Sequence, residues 1–313
     1  MKFKKIVITG MTEPELSDEY WNRIYEVAES KVFLSADSPE LKEHLKDTDA
    51  LFVKFNPVDR DMMGAAPNLK YIGVFATGYG KIDIEYAKEK GITVCNVPGY
   101  STESVAELVF AVILEYIRDL ERAKVQAREG NYSEDGFSAT EIKDKNFGVV
   151  GLGRIGQRVA KIAAGFGANV KYWSRNQKDI ENKSVEYSEV DDLLASCDFI
   201  SLHLALNDET ENFLNADRIE KIKDGAVIVN TAPMELVDLE ALIGRLEKGD
   251  ITFILDHSDE MEEEDLKRLS KYENCIIYPP IGYISDEAGE AKREIFVSNL
   301  ESYASGNPTN VAS

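Results

Sequence analysis

The stretch Phe147-Gly148-Val149-Val150-Gly151-Leu152-Gly153-Arg154-Ile155-Gly156 limits what this chain can fold into more than any other. Four residues of buried-strand character run into a G-x-G-x-x-G turn, and a helical pattern from Gln157 to Phe166 follows at once. Glycine is needed three times here. Gly151 permits the tight turn, Gly153 lets the backbone approach a pyrophosphate, and Gly156 lets the helix pack close to the strand. The helix N-terminus, with Arg154 and Ile155 in its first turn, offers free N–H groups and a positive dipole end to phosphate. A strand before and a helix after make this turn the fingerprint of a dinucleotide site.

Short β-rich runs alternate with helical patterns on both sides of the motif. Strands are predicted at 5–9, 32–34, 50–53, 71–74 and 93–96, and again at 147–150, 170–173, 199–202, 227–230, 253–255 and 276–278. Helices are predicted at 18–28 with Ser17 as N-cap, in one long stretch from 102 to about 129, and at 286–303. A Gly-, Ser- and acid-rich loop follows the long helix at 130–137. The alternation predicts an α/β protein of two doubly wound parallel-sheet domains, which 313 residues are enough to build.

Composition narrows the partners. Lys and Arg total 36 against 57 Asp and Glu, a net charge of −21, which repels phosphate backbones and anionic lipid surfaces. Neither nucleic acid nor a membrane is expected. Cys95, Cys197 and Cys275 form no C-x-x-C pair, so they read as small core residues of a reducing compartment, with no disulfide framework and no metal site. The N-terminus reads as a first strand, and the apolar run 105–117 is interrupted by Glu107 and Glu115. The expected location is cytoplasmic.

The strand after the glycine turn bears on the choice of dinucleotide. An NAD site places a carboxylate about 20 residues on, bonded to the ribose 2′-hydroxyl. Here Val170-Lys171-Tyr172-Trp173 ends in Ser174-Arg175. No carboxylate at the tip repels a 2′-phosphate, and Arg175 can pair with one, so NADP is favoured over NAD.

Further motifs carry a resemblance. Asn68-Leu69-Lys70-Tyr71-Ile72-Gly73 is followed by Ala76-Thr77-Gly78-Tyr79, and Asn96-Val97-Pro98-Gly99-Tyr100-Ser101-Thr102-Glu103-Ser104-Val105-Ala106-Glu107 lies beyond. Ser201-Leu202-His203, Glu209-Thr210, Val229-Asn230-Thr231-Ala232, Leu236-Val237-Asp238 and Leu255-Asp256 complete the set. Together they resemble the D-isomer-specific 2-hydroxyacid dehydrogenase family, which includes glyoxylate/hydroxypyruvate reductases and phosphoglycerate dehydrogenases. The resemblance implies a flavodoxin-like substrate domain, residues 1–99 plus 281–313, split by an inserted Rossmann cofactor domain at 100–280. It also implies a homodimer through the 101–143 segment. Thr210, Thr231, Ala232 and Asp256 would line the nicotinamide end of the cofactor, and Ala76, Thr77 and Gly78 would meet a small carboxylate substrate.

The resemblance also implies an arginine that grips the substrate, a histidine that gives the proton and a glutamate that holds that histidine protonated. None stands at its matching position. Asn230-Thr231-Ala232-Pro233-Met234 puts Pro233 in the arginine's place, and Pro279-Pro280-Ile281-Gly282 puts Pro280 in the histidine's. Five residues past Asp256 stands Met261, flanked by Glu260 and Glu262. Proline supplies neither a proton nor a charge. Acid–base help of this kind is typically worth on the order of 10²–10⁴-fold. Substitutes are Lys54 at the end of a strand, which would also touch substrate, His257 beside Asp256, and Tyr283. Two functions follow: an oxidoreductase with a non-standard acid, or a dinucleotide-binding pseudoenzyme with a regulatory or structural role.

Overall fold

The computed structural model describes residues 2–180, 184–256, 258 and 261–312. The chain divides into two compact units. Unit 1 is Met1–Ser101 with Ser285–Ser313, and unit 2 is Thr102–Ile284.

Unit 1 runs β1 (Ile6–Thr9), α1 (Asp18–Val27), β2 (Lys31–Leu34), α2 (Leu41–Leu45), β3 (Ala50–Val53), α3 (Arg60–Gly64), β4 (Tyr71–Val74), α4 (Ile84–Glu89) and β5 (Thr93–Cys95), and is completed by a C-terminal helix, Asp286–Ala304. The strands pair in parallel in the order β2-β1-β3-β4-β5, the flavodoxin-like arrangement. β1, β3 and β4 are buried at every position, as strands covered on both faces must be, and β2 at the edge is only half-buried. Successive side chains serve opposite faces. Ile6, Ile8, Phe52 and Tyr71 pack with Trp21, Phe296 and Leu300, whereas Val7, Leu51, Val53 and Ile72 pack with Leu45 and Ala87. Ser17 stands at the N-cap of α1, but its hydroxyl makes no capping bond.

Unit 2 opens with α5 (Thr102–Ile117) and α6 (Leu120–Arg128). It continues through β6 (Asn146–Val150), α7 (Arg154–Gly165), β7 (Asn169–Trp173), β8 (Val185–Tyr187), α8 (Val190–Ser196), β9 (Phe199–Leu202), α9 (Ala216–Lys221), β10 (Val227–Asn230), α10 (Leu239–Lys248), β11 (Thr252–Leu255), α11 (Glu263–Leu269) and β12 (Cys275–Ile277). Its sheet is parallel throughout in the order β12-β11-β10-β9-β6-β7-β8. The strand order reverses at β6, between β9 and β7, and ligands of open α/β sheets bind at the carboxyl ends of strands at such a point.

The single long helix expected from 102 to about 129 is two helices. Asp119 sits between them at φ +51°, a left-handed conformation that aspartate adopts more readily than most residues, and its carboxylate holds Arg122 in the next turn. α5 buries seven residues and α6 none, so nothing holds the two on one axis. β8 is an additional edge strand outside the predicted set. Cys95, Cys197 and Cys275 are buried, and burial pushes their thiols up to about 11, about 11 and about 12. Among the described residues no helix is long and apolar enough to cross a membrane.

Candidate active site

The residues singled out in unit 2 gather at one edge of its sheet because each lies on the segment that leaves the carboxyl end of a strand. Gly151 follows β6, Ser174 follows β7, Thr231 follows β10 and Asp256 follows β11, while Thr210 lies on the loop after β9 and Pro280 just beyond β12. Parallel pairing sends all six carboxyl ends the same way.

The glycine turn is shaped by what its glycines exclude. Gly151 has φ +98°, and a Cβ there would stand 2.6 Å from the His203 carbonyl oxygen. A Cβ on Gly156 would stand 2.0 Å from the Gly151 carbonyl oxygen, which is possible for no side chain. Gly153 differs. It is the N-cap of α7, and nothing lies within 4 Å of a Cβ built on it. Two glycines therefore close the strand onto the helix, and the third leaves a clear approach to the helix N-terminus. Arg154 is exposed and Ile155 half-buried in that first turn. Free N–H groups beside open space suit a phosphate.

At the tip of β7, Ser174 is buried and its hydroxyl donates to the Asn176 carbonyl at 2.7 Å. Arg175 pairs with Glu209 at 3.0 Å, both side chains about two-thirds exposed (65% and 69%). A 2′-phosphate at Arg175 would thus compete with a weak, solvent-screened partner. Thr210 is buried, donates to Ala205 O at 2.7 Å and accepts from Asn207 N–H at 2.8 Å. The hydroxyl of Thr231 is different. It is buried and has no hydrogen-bond partner, which leaves a polar atom ready for a ligand group. Next to it, Ala232 N–H donates to Asn230 Oδ1 at 3.0 Å. The Asp256 carboxylate is buried and accepts from Gly282 N–H at 2.8 Å, which ties the end of β11 to the turn beyond β12. The open helix N-terminus and the unpartnered Thr231 hydroxyl both fit a dinucleotide.

The positions that the resemblance assigns to acid–base chemistry are Pro233, Met261 and Pro280. Pro233 caps a short 3-10 turn, Met234–Leu236, and Pro280 lies half-buried after β12. Met261 packs against a hydrophobic core with Leu255 and Leu269. His257 and Glu260 lie outside the described residues. Tyr283 is exposed. His203 hydrogen-bonds Ser201 Oγ at 2.7 Å, and burial pushes its imidazole down to about 3. It is neutral at pH 7 and a poor proton donor there.

In unit 1, the loop after β4 carries Ala76, Thr77 and Gly78. Ala76 O accepts from Val97 N–H at 3.0 Å, Thr77 Oγ1 donates to Val97 O at 2.8 Å, and Gly78 stands in open space. Lys54 directly follows β3 and pairs with Glu15 at 2.6 Å. Burial raises the Glu15 pKa, but the Lys54 hydrogen bond, the Thr12 N–H and the charges of Lys54 and Lys292 outweigh it and hold the carboxyl below its ordinary value. The sequence singles out neither Glu15 nor Lys292, and it names Glu209 only beside Thr210, without its pairing to Arg175. A signal for Lys292 exists: it falls on the stripe Ala288, Lys292, Phe296, Leu300 of the C-terminal helix, whose other members are apolar and buried.

Residues 110–282 match the family model for the NAD binding domain of D-isomer specific 2-hydroxyacid dehydrogenases. The chain belongs to that family. It is similar to a glyoxylate reductase of Thermococcus litoralis, 35% identical over 314 residues that cover 96% of this chain and 94% of the relative. It is also similar to a hydroxypyruvate reductase of Blautia hydrogenotrophica, 34% identical over 285 residues and 88% of each chain. Among solved structures, an acyclic imino acid reductase in complex with NADPH and D-Arg superposes with a TM-score of 0.86 at 29% identity, covering 99% of this chain and 100% of the other. The two-domain α/β fold expected from the sequence is the fold of this family.

Proposed function

We propose that this chain is an NAD(P)-dependent oxidoreductase acting on a small 2-oxo or 2-hydroxy carboxylate, with a proton donor other than the family's arginine–glutamate–histidine set, and that it prefers NADP. Unit 2 is its cofactor domain and unit 1 its substrate domain. The observation that carries this reading is the glycine turn, closed at Gly151 and Gly156 and open at Gly153. In it the first N–H groups of α7, from Arg154 and Ile155, would hold the pyrophosphate. Ser174 and Arg175 would meet the adenosine ribose, and Thr210, Thr231, Ala232 and Asp256 would line the nicotinamide end. When bound, the dinucleotide supplies or accepts a hydride.

The rest falls to this chain's own groups. Pro233 and Pro280 neither bind a carboxylate nor move a proton. Met261 is part of a hydrophobic core. Lys54, held by Glu15, His257 and the exposed Tyr283 are the candidate donors, with Ala76, Thr77 and Gly78 as backbone contacts to substrate. Tyr116, Leu120, Val125 and Tyr132 expose apolar surface within residues 101–143, which favours a homodimer through that segment. The two prolines also favour a second reading, a dinucleotide-binding protein with a regulatory role and no turnover.

The test mixes the full chain with NADPH or NADH and a panel of glyoxylate, hydroxypyruvate and pyruvate, and follows the near-ultraviolet absorbance of the reduced nicotinamide. Calorimetry gives dinucleotide affinity on the same samples. Expected are turnover with NADPH above NADH and, in Arg175→Ala, about a tenfold loss of NADPH affinity with NADH little changed. Binding without turnover establishes the second reading. Binding of neither dinucleotide overturns both.

A further inference from the structure

Three cationic and two acidic side chains crowd the carboxyl-end region of the unit 1 sheet, in a protein whose overall charge is −21. Lys54, directly after β3, holds Glu15 Oε1 at 2.6 Å, and the other Glu15 oxygen accepts Thr12 N–H at 2.8 Å. Arg293 donates to the Glu15 carbonyl at 3.0 Å and pairs with Glu290 at 3.2 Å; Glu290 also accepts the Tyr20 hydroxyl at 2.6 Å. The third cation is Lys292. Both carboxylates are committed elsewhere, and among the described residues Lys292 forms no ion pair.

Lys292 is only 8% exposed. Its ammonium lies 4.4 Å from the ring centre of Phe75, which directly follows β4, and 5.3 Å from that of Tyr100. Two ring faces attract a cation but do not replace the water that burial removes. Burial pushes the amine down to about 8; the charge of Lys54 adds to this, Glu15 opposes it and Arg293 adds a little more. An excess of positive charge, a cation with no ion-pair partner among the described residues and an aromatic wall at strand carboxyl ends together describe a place for a small anion.

We infer that Lys292, flanked by Lys54 and walled by Phe75 and Tyr100, binds the carboxylate of a small 2-oxo acid and is a specificity-determining residue of unit 1. This rests on the proposed function. The anion completes the Lys292 ion pair in a site poor in water, where a charge-assisted bond is strong. Deprotonation of Lys292 removes the attraction, so affinity falls as pH rises through about 8.

The experiment titrates oxamate, a 2-oxo acid isostere that is not reduced, into the full chain by calorimetry, below and above about pH 8, with and without saturating NADPH. Lys292→Met is expected to weaken oxamate by at least about tenfold and to flatten the pH dependence. Lys292→Arg is expected to stay within about threefold of the wild type at neutral pH and to hold that affinity at alkaline pH, because guanidinium does not titrate there. Thermal melts confirm that both variants fold. Equal affinity in wild type and Lys292→Met, or no oxamate binding under any condition, overturns the inference. NADPH binding without oxamate binding removes this inference and leaves the cofactor reading standing; oxamate binding without NADPH binding does the reverse.

Discussion

The carboxyl edges of the two sheets are built from different material. In unit 2 the edge is backbone: N–H groups at the start of α7, carbonyls of Gly151 and His203, and glycines that exclude side chains. In unit 1 it is side chains: two lysines, an arginine and two glutamates, brought together from positions as far apart as Glu15 and Lys292. A site made of backbone fails when one atom is added. A site made of side chains can lose its ligand and keep its fold.

That contrast is open to direct attack. Gly156→Ala should have the largest effect. Its Cβ meets the Gly151 carbonyl at 2.0 Å, where backbone and not a flexible side chain must move. A loss of about 3 kcal/mol or more of stability is expected by denaturant unfolding, together with loss of dinucleotide binding. A mild variant would mean that the turn is looser than its geometry.

Lys292→Met should act in the opposite direction and with somewhat smaller size. Below about pH 8 the amine is protonated both folded and unfolded, and the folded state carries the cost of burying it. Between about 8 and its ordinary value of 10.5 only the unfolded chain binds the proton, so the wild type gains stability as pH rises across that window. The methionine variant is therefore expected to be more stable than wild type at pH 7, by at most about 3 kcal/mol, with the gap closing toward pH 10. A gap independent of pH would show that the amine is not the cause. The comparison sharpens if oxamate affinity falls in this variant while its stability rises.

The same contrast explains what the sequence disclosed. The glycine turn was legible because its parts are contiguous and each glycine has one steric reason to be there. The expectation that Pro233 stands in the arginine's place rests on the register of Leu236-Val237-Asp238, and that for Pro280 on the Gly282 that follows it. Lys54 stood out as a lysine ending an apolar strand, but its partner Glu15 and the neighbouring Lys292 are brought close only by the tertiary fold. The helix break at Asp119 was hidden because the residues on both sides are good helix formers, and the break reflects a local left-handed turn where core burial ends. The Arg175–Glu209 pair was also out of reach, since β7 and the loop after β9 meet only through the order of the sheet.

The most direct test of the account is the substitution Gly153→Val. Gly153 has φ −74° and ψ −163°, an extended conformation open to any residue, and a Cβ there meets nothing within 4 Å. The variant should melt with the wild type and yet lose about a hundredfold or more in NADPH affinity by calorimetry, because the valine occupies the approach of the pyrophosphate to α7. A stable Gly153→Val protein that binds NADPH as tightly as the wild type would contradict the central claim that this turn holds a dinucleotide.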